Sequence, residues 1–437
     1  MFSTGLRTVI TAVLILVAIQ DCYAEVNLDS KSAETLRLSL ESAVSTAIKE
    51  NPNLASVQQR YEALTHVPSQ VSTLPDPIVT LGAMNFASDG LSRSQEPMTQ
   101  VKYGVSQAFP FPGKLKLKKE IAEIVAESAG FSLAEAHNQL IQDVRMTWWD
   151  IFYVDRALET LSQNQELFRK LIDVAKTKYE TGEGLQQDVL LAQLELSRLL
   201  DQEIKLKAIR QTHADRLNVL MARSPTIPIS LKEIEAEPMS EAEDVSSLMQ
   251  AALTNRPFLK KMLADVDAAR SRLALAKRDY YPDFTVGLSY GDRIGTNPDL
   301  SDRDDLVSLN VGVKIPLYAK SKQSKAVSQR TSELSSQMYA ARDVENEIYG
   351  LISSVVTQYE KARDEFSLYE TGILPQASQT VESMQAGYQV NQVDFLNLIR
   401  SRITLLNYEL LYWKSYTEAK QSLARLEAVV GKENIYE

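Results

Sequence analysis

Phe284-Thr285-Val286-Gly287-Leu288-Ser289-Tyr290-Gly291 is the stretch on which the fold turns. Large apolar side chains stand at every second position, and the residues between them are small or polar. That period of two describes a strand with one greasy face and one slim polar face. Downstream, Val307, Leu309, Val311, Val313 and Ile315 alternate in the same way with Ser308, Asn310, Gly312 and Lys314. Both runs have about the 9–11 residues that a tilted membrane-crossing strand needs. An ordinary half-buried sheet would show the same alternation, so these strands alone leave both readings open.

Working outward, the first half of the chain repeats the pattern. Val101, Tyr103, Val105 and Phe109 alternate with Gln100, Lys102, Gly104 and Ser106, and a less regular strand covers 78–86. The halves correspond elsewhere too. Leu40-Glu41-Ser42-Ala43 leading to Asn51-Pro52-Asn53-Leu54 returns as Leu248-Met249-Gln250-Ala251 leading to Arg256-Pro257-Phe258-Leu259, so Pro52 matches Pro257. Ser106 to Pro110 matches Gly312 to Pro316, and Asp188-Val189-Leu190 matches Asp394-Phe395-Leu396. Ordered matches at nearly one spacing indicate a duplicated unit. The expected division is 25–240 and 241–437, each reading helix, two strands and a long helical hairpin, with strands near 77–86, 99–109, 283–291 and 305–316.

Residues 114–179 contain no proline and a single glycine, Gly130, with apolar residues recurring at three and four. That predicts a helix of about 100 Å. Its partner runs from about Gln186 and stops before Pro225. In the second unit helix resumes near Lys320, bends at Pro375, turns between Tyr388 and Asp394, and returns to about Val430. Helices of this length joined by tight turns imply antiparallel coiled-coil packing. Four strands cannot close a barrel, and an open edge is not tolerated in lipid, so other copies must complete it. Three copies give twelve strands, an even number within the bacterial range.

The amino terminus reads as a signal peptide over 1–24: Arg7, a largely apolar run from Val9 to Ile19, and a cleavage site after Ala24. Cys22, the only cysteine, falls inside it, and Ile19-Gln20-Asp21 ahead of it do not suit a lipidation site. The chain carries 47 basic and 57 acidic residues and a net charge of −10, which argues against a nucleic-acid partner. No later stretch is long and apolar enough for a membrane helix.

No constellation of catalytic or metal-ligating residues emerges, and no cofactor is expected. Gly287-Leu288-Ser289-Tyr290-Gly291 fits a nucleophile elbow only as a string, because Ser289 lies mid-strand and all three histidines, His66, His137 and His213, precede it. Those histidines form no ligand-spaced pair. Asp292, Asp299, Asp302, Asp304 and Asp305 lack the glycine and terminal glutamate of an EF-hand and read as a solvated loop. Trp148-Trp149 with Phe152-Tyr153 reads as helix packing.

The duplicated Asn/Arg-Pro element, Tyr281-Pro282 before a strand, and Tyr179 to Gly182 followed by Asp188-Val189-Leu190 resemble the TolC family of outer-membrane efflux proteins across the mature chain. Leu74-Pro75-Asp76-Pro77, the passage from Ser106-Gln107 into Phe109-Pro110-Phe111-Pro112-Gly113-Lys114-Leu115, and Tyr388 with Val393-Asp394-Phe395-Leu396 resemble its heavy-metal, CusC/CzcC-like branch.

The resemblance implies an α+β membrane protein: a homotrimeric twelve-stranded β-barrel in outer-membrane lipid, continued into the periplasm by an α-helical tunnel. It also implies a passive exit duct that serves a periplasmic adaptor and an inner-membrane pump of the RND type, exporting heavy-metal cations or drugs. A type I protein-secretion channel is the alternative within the family, and a soluble periplasmic coiled-coil scaffold the alternative outside it. The tip gate would place Asp188 opposite Tyr388, with Asp394 forming a ring of three carboxylates that attracts cations.

Tyr179, Gly182, Asn391 and Asn397 would shape the tip turns. Asn391 stands at the usual turn glycine, and Asn397 at a position where some members carry a second ring carboxylate. Asp188 and Asp394 also suit helix N-caps. Counted from Tyr179 to Asp188 and from Tyr388 to Asp394, the second turn is shorter and lacks a basic latch, so fewer polar contacts are expected to hold the gate.

Overall fold

A computed structural model of the chain describes residues 37–88 and 90–432. The expected signal peptide, with Cys22, lies outside the described residues. In chain order the elements are β1 (Arg37–Leu38), α1 (Leu40–Glu50), α2 (Pro52–Thr65), α3 (Val67–Ser72), β2 (Ile78–Met84), β3 (Gln100–Phe109), α4 (Lys114–Glu180) and α5 (Gln186–Leu220). There follow β4 (Ser230–Leu231), α6 (Val245–Asn255), α7 (Pro257–Arg278), β5 (Asp283–Asp292), β6 (Leu306–Lys314), α8 (Gln323–Leu368), a π turn (Tyr369–Ile373), α9 (Leu374–Gln389) and α10 (Phe395–Val430).

The four long strands form one antiparallel sheet in the order β2-β3-β5-β6. Its register sorts the side chains cleanly. Tyr103 faces Tyr290, Val105 faces Leu288 and Phe109 faces Phe284, while Val313, Leu309 and Val307 continue the same rows on β6. Across-strand partners share a face, so one face of the sheet is apolar. Those side chains are also exposed: Val79 78%, Leu81 73%, Val307 72% and Leu309 71%. From the Phe109–Phe284 pair to the Tyr103–Tyr290 pair the apolar band runs about 20 Å along the strands. Aromatic rows at both ends of such a band mark the two interfaces of a bilayer.

The other face is slimmer. It carries Thr80, Gly104, Ser106, Gly287, Ser289, Ser308, Asn310 and Gly312, together with the larger Ile78, Lys102 and Leu306. A Cβ at Gly104 would come within 2.6 Å of the Thr80 hydroxyl. At that one position a side chain does not fit unless Thr80 moves. β2 and β6 each have one edge without a partner among the described strands.

α4 is a single helix of 67 residues, about 100 Å long, and pairs with α5 as the first hairpin. The second hairpin is α8, the π turn, α9 and α10. Its descending arm is interrupted where the sequence predicts a bend: the π turn ends two residues before Pro375, which has no N–H to give the helix ladder.

Where the hairpins meet the short helices, Trp148, Trp149, Phe152 and Tyr416 are buried in one aromatic cluster, so the tryptophan pair is packing. Among the described residues no helix is long and apolar enough to cross a membrane. The acidic loop after β5 is bound up in local contacts. Arg93 pairs with Asp292 at 2.5 Å, Ser301 donates to Asp299, and Asp305 accepts from the Tyr290 hydroxyl and the Arg293 amide.

Candidate functional site at the hairpin tips

The two hairpins end side by side over a shared core of Phe168, Leu171, Ala175, Ala192, Tyr388, Phe395, Leu398 and Ile399. Apolar residues recur at three and four on each arm, so one stripe per helix turns inward and the turns are carried together.

The two turns are closed by the same pair of hydrogen bonds. In the first, the Gly182 amide donates to the Tyr179 carbonyl and the Glu183 amide to the Lys178 carbonyl. In the second, the Asn391 amide donates to the Tyr388 carbonyl and the Gln392 amide to the Gly387 carbonyl. Gly182 has φ 77° and Asn391 φ 61°. That left-handed conformation is natural for glycine, and asparagine is among the side chains that tolerate it best. Asn391 thus does occupy the turn-glycine position.

The turns are also equally long, which corrects the reading of a shorter second turn. The N-caps of the returning helices are Leu185 and Asp394, each six positions after its tyrosine. Asp188 is not a cap. It lies three residues past Leu185, inside the first turn of α5, where its structural counterpart is Asn397 and not Asp394. Asp394 does hold the N-cap position of α10, although its side chain makes no capping hydrogen bond there.

Asp188 is 9% exposed and Tyr388 6%, whereas Tyr179 is 47% exposed and Asp394 and Asn397 are open to solvent. Burial raises the Asp188 carboxyl above its ordinary value, the Leu185 backbone N–H pulls it back, and the negative charge of Asp394 raises it further. Burial likewise raises the Tyr388 phenol, helped by Asp188 and Asp394. These three residues are therefore neighbours. Asp188 and Tyr388 are brought together as expected but share no hydrogen bond: the buried Tyr388 hydroxyl has no hydrogen-bond partner among the described residues. Its ring packs on Phe395, centroids 5.0 Å apart.

What does join the two tips is Lys178, which the sequence reading missed. Its ammonium donates to the Tyr388 carbonyl at 2.7 Å and to Asn391 Oδ1 at 2.5 Å, and it lies 4.5 Å from the centre of the Tyr388 ring. The cation completes the C-terminal end of α9, where free carbonyls and the helix dipole favour positive charge. The second turn itself carries no basic residue, but a cation reaches it from the other hairpin, immediately before Tyr179. A lysine in the last turn of a helix facing a turn asparagine was the available signal.

A second polar layer missed by the sequence reading lies further up the bundle. Arg402 donates to Gln385 Oε1 at 2.7 Å, and Asn164 reaches Glu409 at 3.3 Å. Burial lowers Arg402 and raises Glu409 from their ordinary values. Among the described residues no group of three or more histidine, cysteine or acidic side chains could hold a metal ion.

Comparison with known proteins places this pair of hairpins in a family. A family model described as outer membrane efflux protein matches 43–223 and 248–432, one match per half. Among curated relatives, the cobalt-zinc-cadmium resistance protein CzcC of Cupriavidus metallidurans is 18% identical over 396 residues, covering 90% of each chain. The outer membrane efflux protein BepC of Brucella suis is 26% identical over 55% of this chain and 51% of its own.

Among solved structures, the outer-membrane channel OprN superposes with a TM-score of 0.77 at 15% identity, covering 90% of this chain and 89% of that one. CusC follows at 0.75 and 11%, covering 91% and 93%. VceC of Vibrio cholerae stands at 0.75 and 14%, covering 90% and 96%. The fold is therefore that of the barrel-and-tunnel channels, and the chain belongs to the outer membrane efflux protein family, a protein of the outer membrane that extends into the periplasm.

Proposed function

We propose that this chain forms a homotrimeric, passive exit duct for a tripartite efflux system, closed at its periplasmic tip and opened by a periplasmic adaptor coupled to an inner-membrane pump. The observation that carries this reading is the sheet. Its apolar face is exposed between aromatic rows, its slimmer polar face suits a water-filled lumen, and two strand edges lack partners among the described strands. Three such sheets close a twelve-stranded barrel, and the six hairpins continue the wall as a tunnel.

The tip is the gate. Asp188, Tyr388 and Asp394 surround the constriction, three copies of Asp394 make it attractive to cations, and Lys178 fastens the second hairpin to the first. The relative CzcC is named for resistance to cobalt, zinc and cadmium, and divalent metal cations are the substrate class that best suits an acidic ring. The test pairs two measurements. Detergent-extracted protein from outer membranes should weigh three mature chains by light scattering. A deletion strain should become sensitive to cobalt, zinc and cadmium, and the restored gene should reverse this. A monomer would refute the duct, whereas unchanged metal tolerance with new sensitivity to organic compounds would refute the substrate class alone.

A further inference from the structure

Ile78 opens β2 and Lys314 closes β6, the two strands at the free edges of the sheet. Both ends lie on the helical side, because β2 follows α3 and β6 leads into α8. When the free edges of two copies pair, the residues just before Ile78 of one copy meet those just after Lys314 of the next.

What each side brings is complementary. Leu74-Pro75-Asp76-Pro77 is exposed throughout in the single chain. The prolines hold Asp76 out of regular structure, and the Gln107 amide donates to the Pro75 carbonyl at 2.6 Å, tying the segment to β3. Opposite, a cavity of about 350 Å³ opens between the end of β6 and the start of α8. Leu317 and Tyr318 line it, although 80% and 76% exposed.

Asp279 and Asp283 also line the cavity but are engaged by Lys114, whose ammonium lies 3.2 and 2.9 Å away. Lys314 and Lys322 make no ion pair within 4 Å among the described residues and leave the cavity with excess positive charge. Gln323 Oε1 is buried there without a donor.

We propose that Leu74-Pro75-Asp76-Pro77 of one copy seats in this cavity of the next. The Asp76 carboxylate lies between the Lys314 and Lys322 ammoniums, Leu74 covers Leu317 and Tyr318, and a backbone N–H of the segment serves Gln323. The inference rests on the trimeric reading above and deepens it: the contact seals the seam at the rim where irregular backbone leaves the barrel.

A variant carrying both Asp76→Cys and Lys322→Cys, treated in outer membranes with a short bismaleimide, tests it, since the only native cysteine, Cys22, lies in the expected signal peptide. Covalent dimers and trimers on a denaturing gel are the expected result, with none from either single variant. A trimer by light scattering that does not cross-link overturns the docking and leaves the trimer standing, whereas a monomer overturns both. In parallel, Asp76→Lys should lower the temperature at which the trimer dissociates, and adding Lys322→Asp should restore it. Absence of that rescue would overturn the charge pairing.

Discussion

The two hairpin tips share one turn, with its two closing hydrogen bonds in equivalent places, yet bury opposite residues. The first hides its carboxylate, Asp188, and exposes its tyrosine, Tyr179. The second hides its tyrosine, Tyr388, and exposes its carboxylate, Asp394. The first supplies a cation, Lys178, where the second has Gly387, and the second supplies the acceptors, the Tyr388 carbonyl and Asn391. The two turns are equal in length, but one is a donor and the other an acceptor. The fastening therefore runs one way, from the unbroken arm α4 to the arm interrupted by a π turn.

Removing the donor should have the largest effect on this asymmetry. A charge-assisted hydrogen bond is worth roughly 1.5–3 kcal/mol when well formed, and Lys178 makes two contacts in a partly solvated setting. Lys178→Met should shift the closed-to-open ratio about tenfold, since about 1.4 kcal/mol is a factor of ten, read as open-channel time in planar bilayers. Asn391→Gly, which keeps the left-handed turn but removes one acceptor, should open the channel several-fold less. If both variants gate like the parent, the one-way fastening is wrong.

A smaller effect follows from Asp188. Its carboxyl titrates above the ordinary range because the packed tip buries it, with the charge of Asp394 adding to the effect. A raised value means that the packed tip binds the proton more tightly than a solvated carboxylate does, and on the proposed reading that packing is the closed state. Protonation accordingly stabilises the closed tip at low pH, and that gain is lost as pH rises through the raised value. Open-channel time should fall as pH drops toward about 3.9, the ordinary aspartate value, and Asp188→Asn should flatten the profile. A slope of the opposite sign in the parent would contradict the burial argument.

The smallest expected effect is the sharpest test of the gate bond. Because the Tyr388 hydroxyl has no hydrogen-bond partner among the described residues, the buried Tyr388→Phe removes no such bond and Tyr179→Phe alters an exposed side chain, so both should leave conductance within about twofold. An increase confined to Tyr388→Phe would mean that assembly gives that hydroxyl a partner.

The sequence by itself determined the periodic elements. Alternation in 284–291 and 307–315 marked the strands, a proline-free run over 114–179 marked the long helix, and repeated motifs marked the duplication, because period and punctuation are local properties. It also placed Asp188, Tyr388 and Asn391 at the tips. Only the tertiary structure decided how the tips meet. Aligning Asp188 with Asp394 by their shared Asp-x-Leu pattern slipped the second turn by three residues, nearly one helical turn, which preserves the helix face and so hides the error in sequence. The Lys178 contact joins residues more than two hundred positions apart. Its geometry arises when two coiled-coil stripes, each legible alone, pack in one particular axial register.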